Sequence, residues 1–300
     1  MILTHQEIEI LCSMGNFAPS GGNSQPWLID VFQKKLEIRL HSSILHPSTP
    51  PAYIKGSIFS LGMFAENVCI ASEKLGLDYK LIIHSPDNLT DCFATFDYTG
   101  RTSVHPDDSA LYSVIKSRVT NRKGHNGENI TSEQIDELQA VSKPDDKCGL
   151  FLISDKNVKN NVIKILAKAD VIRMKNKKLF HAMLDEIRWT PLQSNEAKDG
   201  IDTKTLELSG MDLFSLRLIK NYPILTKILP SKIFESSTKN YLSNSSHFGC
   251  VSLEKDITPN LFYCGQIAQR TWLTATKLGL SFQPWTILPF MGMDILNSVR

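Results

Sequence analysis

Two stretches decide the fold: GMFAENVCIASEKLGL, from Gly62 to Leu77, and GQIAQRTWLTATKLGL, from Gly265 to Leu280, 203 residues further along. Laid over each other, they share Gly, Ala, Lys, Leu, Gly and Leu at the same places. Both carry apolar residues at helical spacing, and both close on Leu-Gly-Leu, where a glycine suits the left-handed position after a last turn. Each is preceded by a strand-like run and followed by an extended one. The pattern predicts duplication of one α/β unit, although two amphipathic helices with similar ends can also match this well without a common origin. A duplicated chain has the internal symmetry of a dimer. The expected halves are 1–154 and 155–300, and the interface between them is the natural ligand crevice.

Outward from these helices the first half reads as mixed α and β. An amino-terminal helix runs into the loop Ala18 to Pro26, and Trp27 to Phe32 and Leu36 to Leu40 read as paired strands. Tyr79 to His84 and Phe93 to Tyr98 are further strands, Ser109 to Thr120 and Ser132 to Val141 helices, the latter with Thr131 as N-cap, and Leu150 to Ile153 a strand. Helical spacing continues from Asp155 to about Trp189. From Gln193 to Ser246 the chain turns rich in Ser, Asn, Lys and Pro, and this stretch is expected to be an irregular lid. His247 to Leu253 reads as a strand. The expected class is α+β, with antiparallel-dominated mixed sheets.

Thirty-three Lys and Arg against 31 Asp and Glu leave a net charge of +2, so no global field favours nucleic acid or an anionic membrane, and any anion site must be local. The amino terminus lacks a basic n-region and a continuous apolar h-region, and even Gly56 to Leu77 is interrupted by Glu66, Asn67, Glu73 and Lys74. The expectation is a soluble cytoplasmic protein with no membrane or nucleic-acid partner. Cysteines at 12, 69, 92, 148, 250 and 264 form no C-x-x-C, which gives no support to a metal site; Cys69 and Cys264 fall in helices as small hydrophobes.

Two segments carry chemistry. In Ala18-Pro19-Ser20-Gly21-Gly22-Asn23-Ser24-Gln25-Pro26-Trp27, prolines stiffen a turn, glycines let backbone approach a flat ligand, and polar side chains can read its edge. An isoalloxazine rim, with its carbonyls, ring nitrogens and N–H, suits such partners. The same residues also make an ordinary surface turn. In Ile115 to Lys123, the cations Lys116, Arg118, Arg122 and Lys123 bracket Thr120 and Asn121. Two guanidinium forks about a hydroxyl can hold a dianionic phosphate; basic residues are also favoured at any solvated helix C-terminus.

Together these segments resemble the nitroreductase-like FMN-binding family. The run P-S-x-x-N-x-Q-P-W is similar to its flavin-ring loop, and Arg118-x-Thr120-x-Arg122 to its phosphate motif. The nearest branch is that of the Acg-type proteins and the nitroreductase-like parts fused to ThiF-type domains. Its later helix is echoed by Trp272-Leu273, Ala275, Gly279-Leu280 and Gln283-Pro284, and its central D-G-x-D-like segment by Asp199-Gly200-Ile201-Asp202. The resemblance runs from about residue 10 to 290. It implies a nitroreductase-like fold in which Pro19, Ser20, Gly21 and Asn23 line the ring of FMN, with Gln25 supporting the loop. Arg118, Thr120 and Arg122 would take the phosphate and ribityl end. It implies an oxidoreductase passing electrons from NAD(P)H to a nitro, quinone or related small acceptor, as a homodimer or a single-chain pseudo-dimer. No catalytic side chain is obligatory, because the flavin carries the chemistry. Two alternatives stand beside it: a protein that stores or sequesters FMN beneath the lid, and a partner of a ThiF-type adenylating enzyme. The family's further basic contact, from a segment after the last strand, has no counterpart that the sequence identifies.

Overall fold

Thr4 opens the first helix of the computed structural model, accepting from the Glu7 N–H while the Glu7 carboxylate accepts from the Thr4 N–H. The structure describes residues 1–46, 49–103, 106–123, 128–142, 148–222, 224–225, 231–255, 257–286 and 288, with the side chains of 106–109 excepted. Helix α1 (His5–Asn16) leads through the Pro19–Pro26 loop into a four-stranded antiparallel sheet of order β1-β2-β4-β3. Its strands are β1 (Trp27–Val31), β2 (Lys35–Leu40), β3 (Leu77–Ile83) and β4 (Ala94–Arg101). Alternation along β2 turns Leu36, Ile38 and Leu40 into the core and leaves Lys35 exposed.

Helix α2 (Pro51–Lys74) packs on that sheet, with Leu61, Phe64, Val68 and Ile70 in one core with Phe93 and Phe96. It starts at Pro51, which is preorganised for a first helical position. By length and apolar composition α2 could cross a membrane; 78% of its apolar window is buried inside the protein. Helix α3 (Pro106–Val114) passes into a 3-10 turn (Ile115–Ser117), and α4 (Ser132–Gln139) carries the expected Thr131 cap. The sequence expects a helix as far as Thr120. The chain instead turns extended at Arg118 (φ −60°, ψ 122°), ahead of the β-branched pair Val119 and Thr120.

Strand β5 (Cys148–Ile153) precedes α5 (Lys156–Lys175) and α6 (Lys177–Asp185). A short parallel pair follows, β6 (Ile187–Arg188) with β7 (Ile201–Asp202), joined through α7 (Pro191–Ala197). A 3-10 turn (Thr203–Leu206), α8 (Gly210–Asn221), α9 (Ser231–Ser243), β8 (Phe248–Leu253) and α10 (Thr258–Lys277) complete the described elements. The stretch 193–246, expected to be irregular, is thus largely helical where it is described. Its Ser209 starts a helix instead of breaking one, accepting from the backbone N–H three residues on, as Thr190 does just before the stretch. This segment packs on a second small core, in which Met174, Phe180, Leu184 and Ile187 come from α5, α6 and β6 and only Ile219 from the segment itself. The protein is α+β with antiparallel sheets.

Helices α2 and α10 cross in the same sense at Gly62 and Gly265. A Cβ on Gly62 would lie 2.0 Å from the Phe262 carbonyl oxygen, and one on Gly265 would lie 2.0 Å from that of Phe59. Beyond the crossing, Glu66 pairs with Arg270, and Gln269 Nε2 donates to Asn67 Oδ1 at 2.7 Å. Under the 203-residue offset these contacts are reciprocal: 59 and 62 meet the counterparts of 62 and 59, and 66 and 67 those of 67 and 66. That is the signature of an isologous interface. The reciprocity stops at the helices. Among the described residues four strands accompany α2, only β5 and β8 lie against α10, and 281–286 form no strand where β3 follows α2. Strand β5, inside the 1–154 half by sequence, pairs with β8 of the other half.

Candidate functional site

Proline flanks and a serine hold the first element in shape. Ser20 Oγ accepts from the Gln25 N–H at 2.9 Å, and the Ser20 carbonyl accepts from the Asn23 N–H at 3.0 Å, closing a tight turn over Gly21 and Gly22. Pro19, Ser20 and Gln25 are half-buried, while Gly21 and Asn23 are exposed. Three of four consecutive turn positions are left-handed: Gly22 (φ 57°), Asn23 (φ 52°) and Gln25 (φ 48°). The turn rests on a residue that the sequence did not single out, since a Cβ on Gly22 would lie 2.7 Å from Glu186 Cγ. Burial raises the Glu186 carboxyl above its ordinary range, opposed by its hydrogen bond with Tyr53 and by Arg173.

The second element meets the first at its root. Arg118 Nη2 donates to the Phe17 carbonyl at 3.2 Å, two residues before Pro19, and Lys116 Nζ lies 5.7 Å from the Phe17 ring centre. The Arg118 guanidinium also lies over the Trp272 ring of α10, 4.4 Å from its centre. Its Nε is shielded from solvent and has no hydrogen-bond partner, and burial pulls its pKa down to about 10, with no carboxylate opposing. Thr120 is half-buried between the two arginines, and the Asn121 N–H donates to the Phe282 carbonyl at 3.0 Å. A sequence separation of 101 residues is thus closed.

Arg122 faces a third element that the sequence placed only as a lid. Its backbone N–H donates to Glu207 Oε2 at 2.8 Å, and its Nη1 donates to the Thr205 carbonyl at 2.8 Å. Lys123 Nζ stands 3.9 Å from Glu207 Oε1. Burial lowers the Arg122 pKa, against the raising effect of Glu207. The same segment reaches the turn, where Gln25 Nε2 donates to the Lys198 carbonyl at 2.9 Å. Its position is set by the Asp199 to Asp202 segment: Asp199 Oδ1 accepts from Arg188 Nε at 3.0 Å and Nη2 at 2.6 Å, and Asp202 accepts from the Lys204 N–H at 2.8 Å.

Backbone strain is concentrated here. Among the described residues four non-glycine positions are left-handed, and all four lie in these contacts: Asn23 and Gln25 in the turn, Lys198 and Glu207 in the cover. Such positions cost on the order of 1 kcal/mol each and persist where the surroundings enforce them, commonly at ligand clamps and switch regions.

No protein-family model matches the chain. The chain is similar to a protein of Mycobacterium tuberculosis (strain CDC 1551 / Oshkosh) described as "Uncharacterized protein MT1398", with 28% identity over 281 residues. That alignment takes in 92% of this chain and 38% of the mycobacterial protein, so the chain spans 38% of the length of the curated relative it matches.

Proposed function

We propose that the chain is a nitroreductase-like flavoprotein that binds FMN between the Pro19–Gln25 turn and Arg118, Thr120 and Arg122. The observation that carries this reading is Arg118: a guanidinium that stacks on Trp272 and donates to the Phe17 carbonyl, with an orphaned Nε and with burial, and no carboxylate, governing its pKa. Burying a cation uncompensated is unfavourable, and an incoming phosphate would supply the missing charge and acceptor. The donors fit the group at both ends. Ser20, Asn23 and the backbone of Gly21 offer polar groups at a planar edge, with open space at Gly21, where a Cβ would meet nothing within 4 Å. The reciprocal α2–α10 crossing supports a single-chain pseudo-dimer with its site where the halves meet.

When bound, FMN would supply the redox chemistry, taking electrons from NAD(P)H and passing them to a nitro, quinone or related acceptor. The chain's own residues position it: Arg118 and Arg122 hold the phosphate end, the turn orients the ring, and donors at the ring edge favour the reduced form by stabilising developing negative charge. The cover favours a second reading. Lys198 touches the turn and Thr205 and Glu207 touch Arg122, so a nicotinamide could be kept out and the protein could hold FMN without turnover.

The test is the visible spectrum of the purified protein followed by mass identification of the released chromophore, with FMN expected. A protein that stays colourless after incubation with FMN refutes the proposal. Oxidation of NADH or NADPH with a nitroaromatic acceptor then separates turnover from storage.

A further inference from the structure

Glu207 sits where an anion would be expected. Its carboxylate takes the Arg122 backbone N–H at 2.8 Å and lies 3.9 Å from the Lys123 ammonium, while the Thr205 carbonyl takes the Arg122 guanidinium at 2.8 Å. A phosphate drawn to Arg122 and Lys123 competes with the Glu207 carboxylate for the Arg122 N–H and the Lys123 ammonium, and with the Thr205 carbonyl for the Arg122 guanidinium. A second observation comes from the backbone. Glu207 closes the Thr203–Leu206 turn at φ 55°, a strained conformation for a non-glycine residue that persists only where its surroundings hold it. Lys198, the cover's contact with the Pro19–Gln25 turn, is strained in the same way.

We infer that Glu207 is an internal competitor for the phosphate of the ligand, so that binding exchanges carboxylate for phosphate at Arg122 and Lys123 and displaces the 203–207 turn. This rests on the reading of Arg118 and Arg122 as a phosphate site. It assigns to Glu207 a role that neither hydrophobic packing nor helix capping explains: it sets affinity for phosphorylated ligands in particular and couples their binding to movement of the cover. The proposed step is non-covalent, with one charge-assisted set of hydrogen bonds broken and another made.

The test compares wild type with Glu207→Gln, an isosteric change at a partly exposed position, using FMN, riboflavin and inorganic phosphate as probes. Removing the competing charge is expected to tighten FMN about tenfold and to leave riboflavin, which has no phosphate, unchanged. Equal tightening of both flavins shows that the cover has merely loosened and overturns the inference, as does unchanged or weaker FMN binding. If neither protein binds FMN, the flavin reading fails and phosphate decides: tighter phosphate binding by Glu207→Gln sustains the competition, and equal binding ends it. Hydrogen exchange on the wild-type chain gives a readout without substitution. Amides of 203–207 should exchange faster when the phosphorylated probe is bound; slower or unchanged exchange overturns the displacement.

Discussion

A guanidinium that stacks on the Trp272 ring and donates to the Phe17 carbonyl loses hydration, and no carboxylate offsets the loss. The cost should therefore appear as stability when the charge is removed. Arg118→Met keeps an aliphatic stem over Trp272, and its melting temperature is expected to equal or exceed that of wild type. FMN affinity should fall 10- to 100-fold, the equivalent of about 1.5–3 kcal/mol for a charged hydrogen bond. A clear loss of stability with intact flavin binding would make Arg118 a structural residue. Glu186 makes a second residue-scale case. Its carboxyl is raised by burial against Gly22, so the folded state binds its proton more tightly than the unfolded chain. By linkage, wild type loses stability as pH climbs from the ordinary carboxylate range through the raised value. Glu186→Gln carries no such penalty. Thermal melts at pH 4 and pH 7 should show the variant gaining on wild type at the higher pH, and a constant difference would contradict the assignment.

Among the elements, the crossing of α2 and α10 has the tightest approach. A methyl at Gly62 or Gly265 would be driven to 2.0 Å from a carbonyl oxygen of the facing helix, which backbone cannot yield without separating the pair. Gly62→Ala and Gly265→Ala are each expected to cost more than about 3 kcal/mol. Gly279→Ala is the comparison: it also sits after a helix, at φ 72°, but meets nothing within 4 Å, so only the left-handed strain of about 1 kcal/mol applies. Urea midpoints of the three variants test the difference, and similar losses would mean that the crossing is not tightly packed. These two glycines were legible in the sequence because both halves repeat them at one offset. The caps at Thr131 and the left-handed Gly76 and Gly279 were legible through local chemistry. The four-against-two strand asymmetry was not, since strand pairing depends on partners far along the chain. Glu186, Lys198 and Glu207 were equally hidden, because their contacts with the site span 83 residues or more between Arg122 and Thr205 and 173 between Gln25 and Lys198. Nothing periodic marks a carboxylate that will fold back onto a distant arginine.

For the whole molecule, stability is divided unevenly. The main core joins the four-stranded sheet, α2 and α10 through Leu61, Phe64, Phe96, Phe262 and Leu273, all nearly inaccessible. The 193–246 segment contributes only Ile219 to a separate cluster of five buried residues, and α8 leaves Met211 79% and Phe214 67% exposed. With so little apolar area to bury, the cover should open without unfolding the rest. Native-state hydrogen exchange is expected to show α8 opening at least about 2 kcal/mol below the global limit, and the central turns of α2 opening only at that limit. A ligand clasped by Arg118 and the turn would add its binding energy to the main body alone and widen the gap between the two. If α8 and α2 instead exchange together, the cover is part of the main cooperative unit. Displacing the 203–207 turn would then require unfolding most of the protein, too costly a route for a ligand to enter, and the pair Arg122 and Glu207 would have to be read as a fixed structural contact.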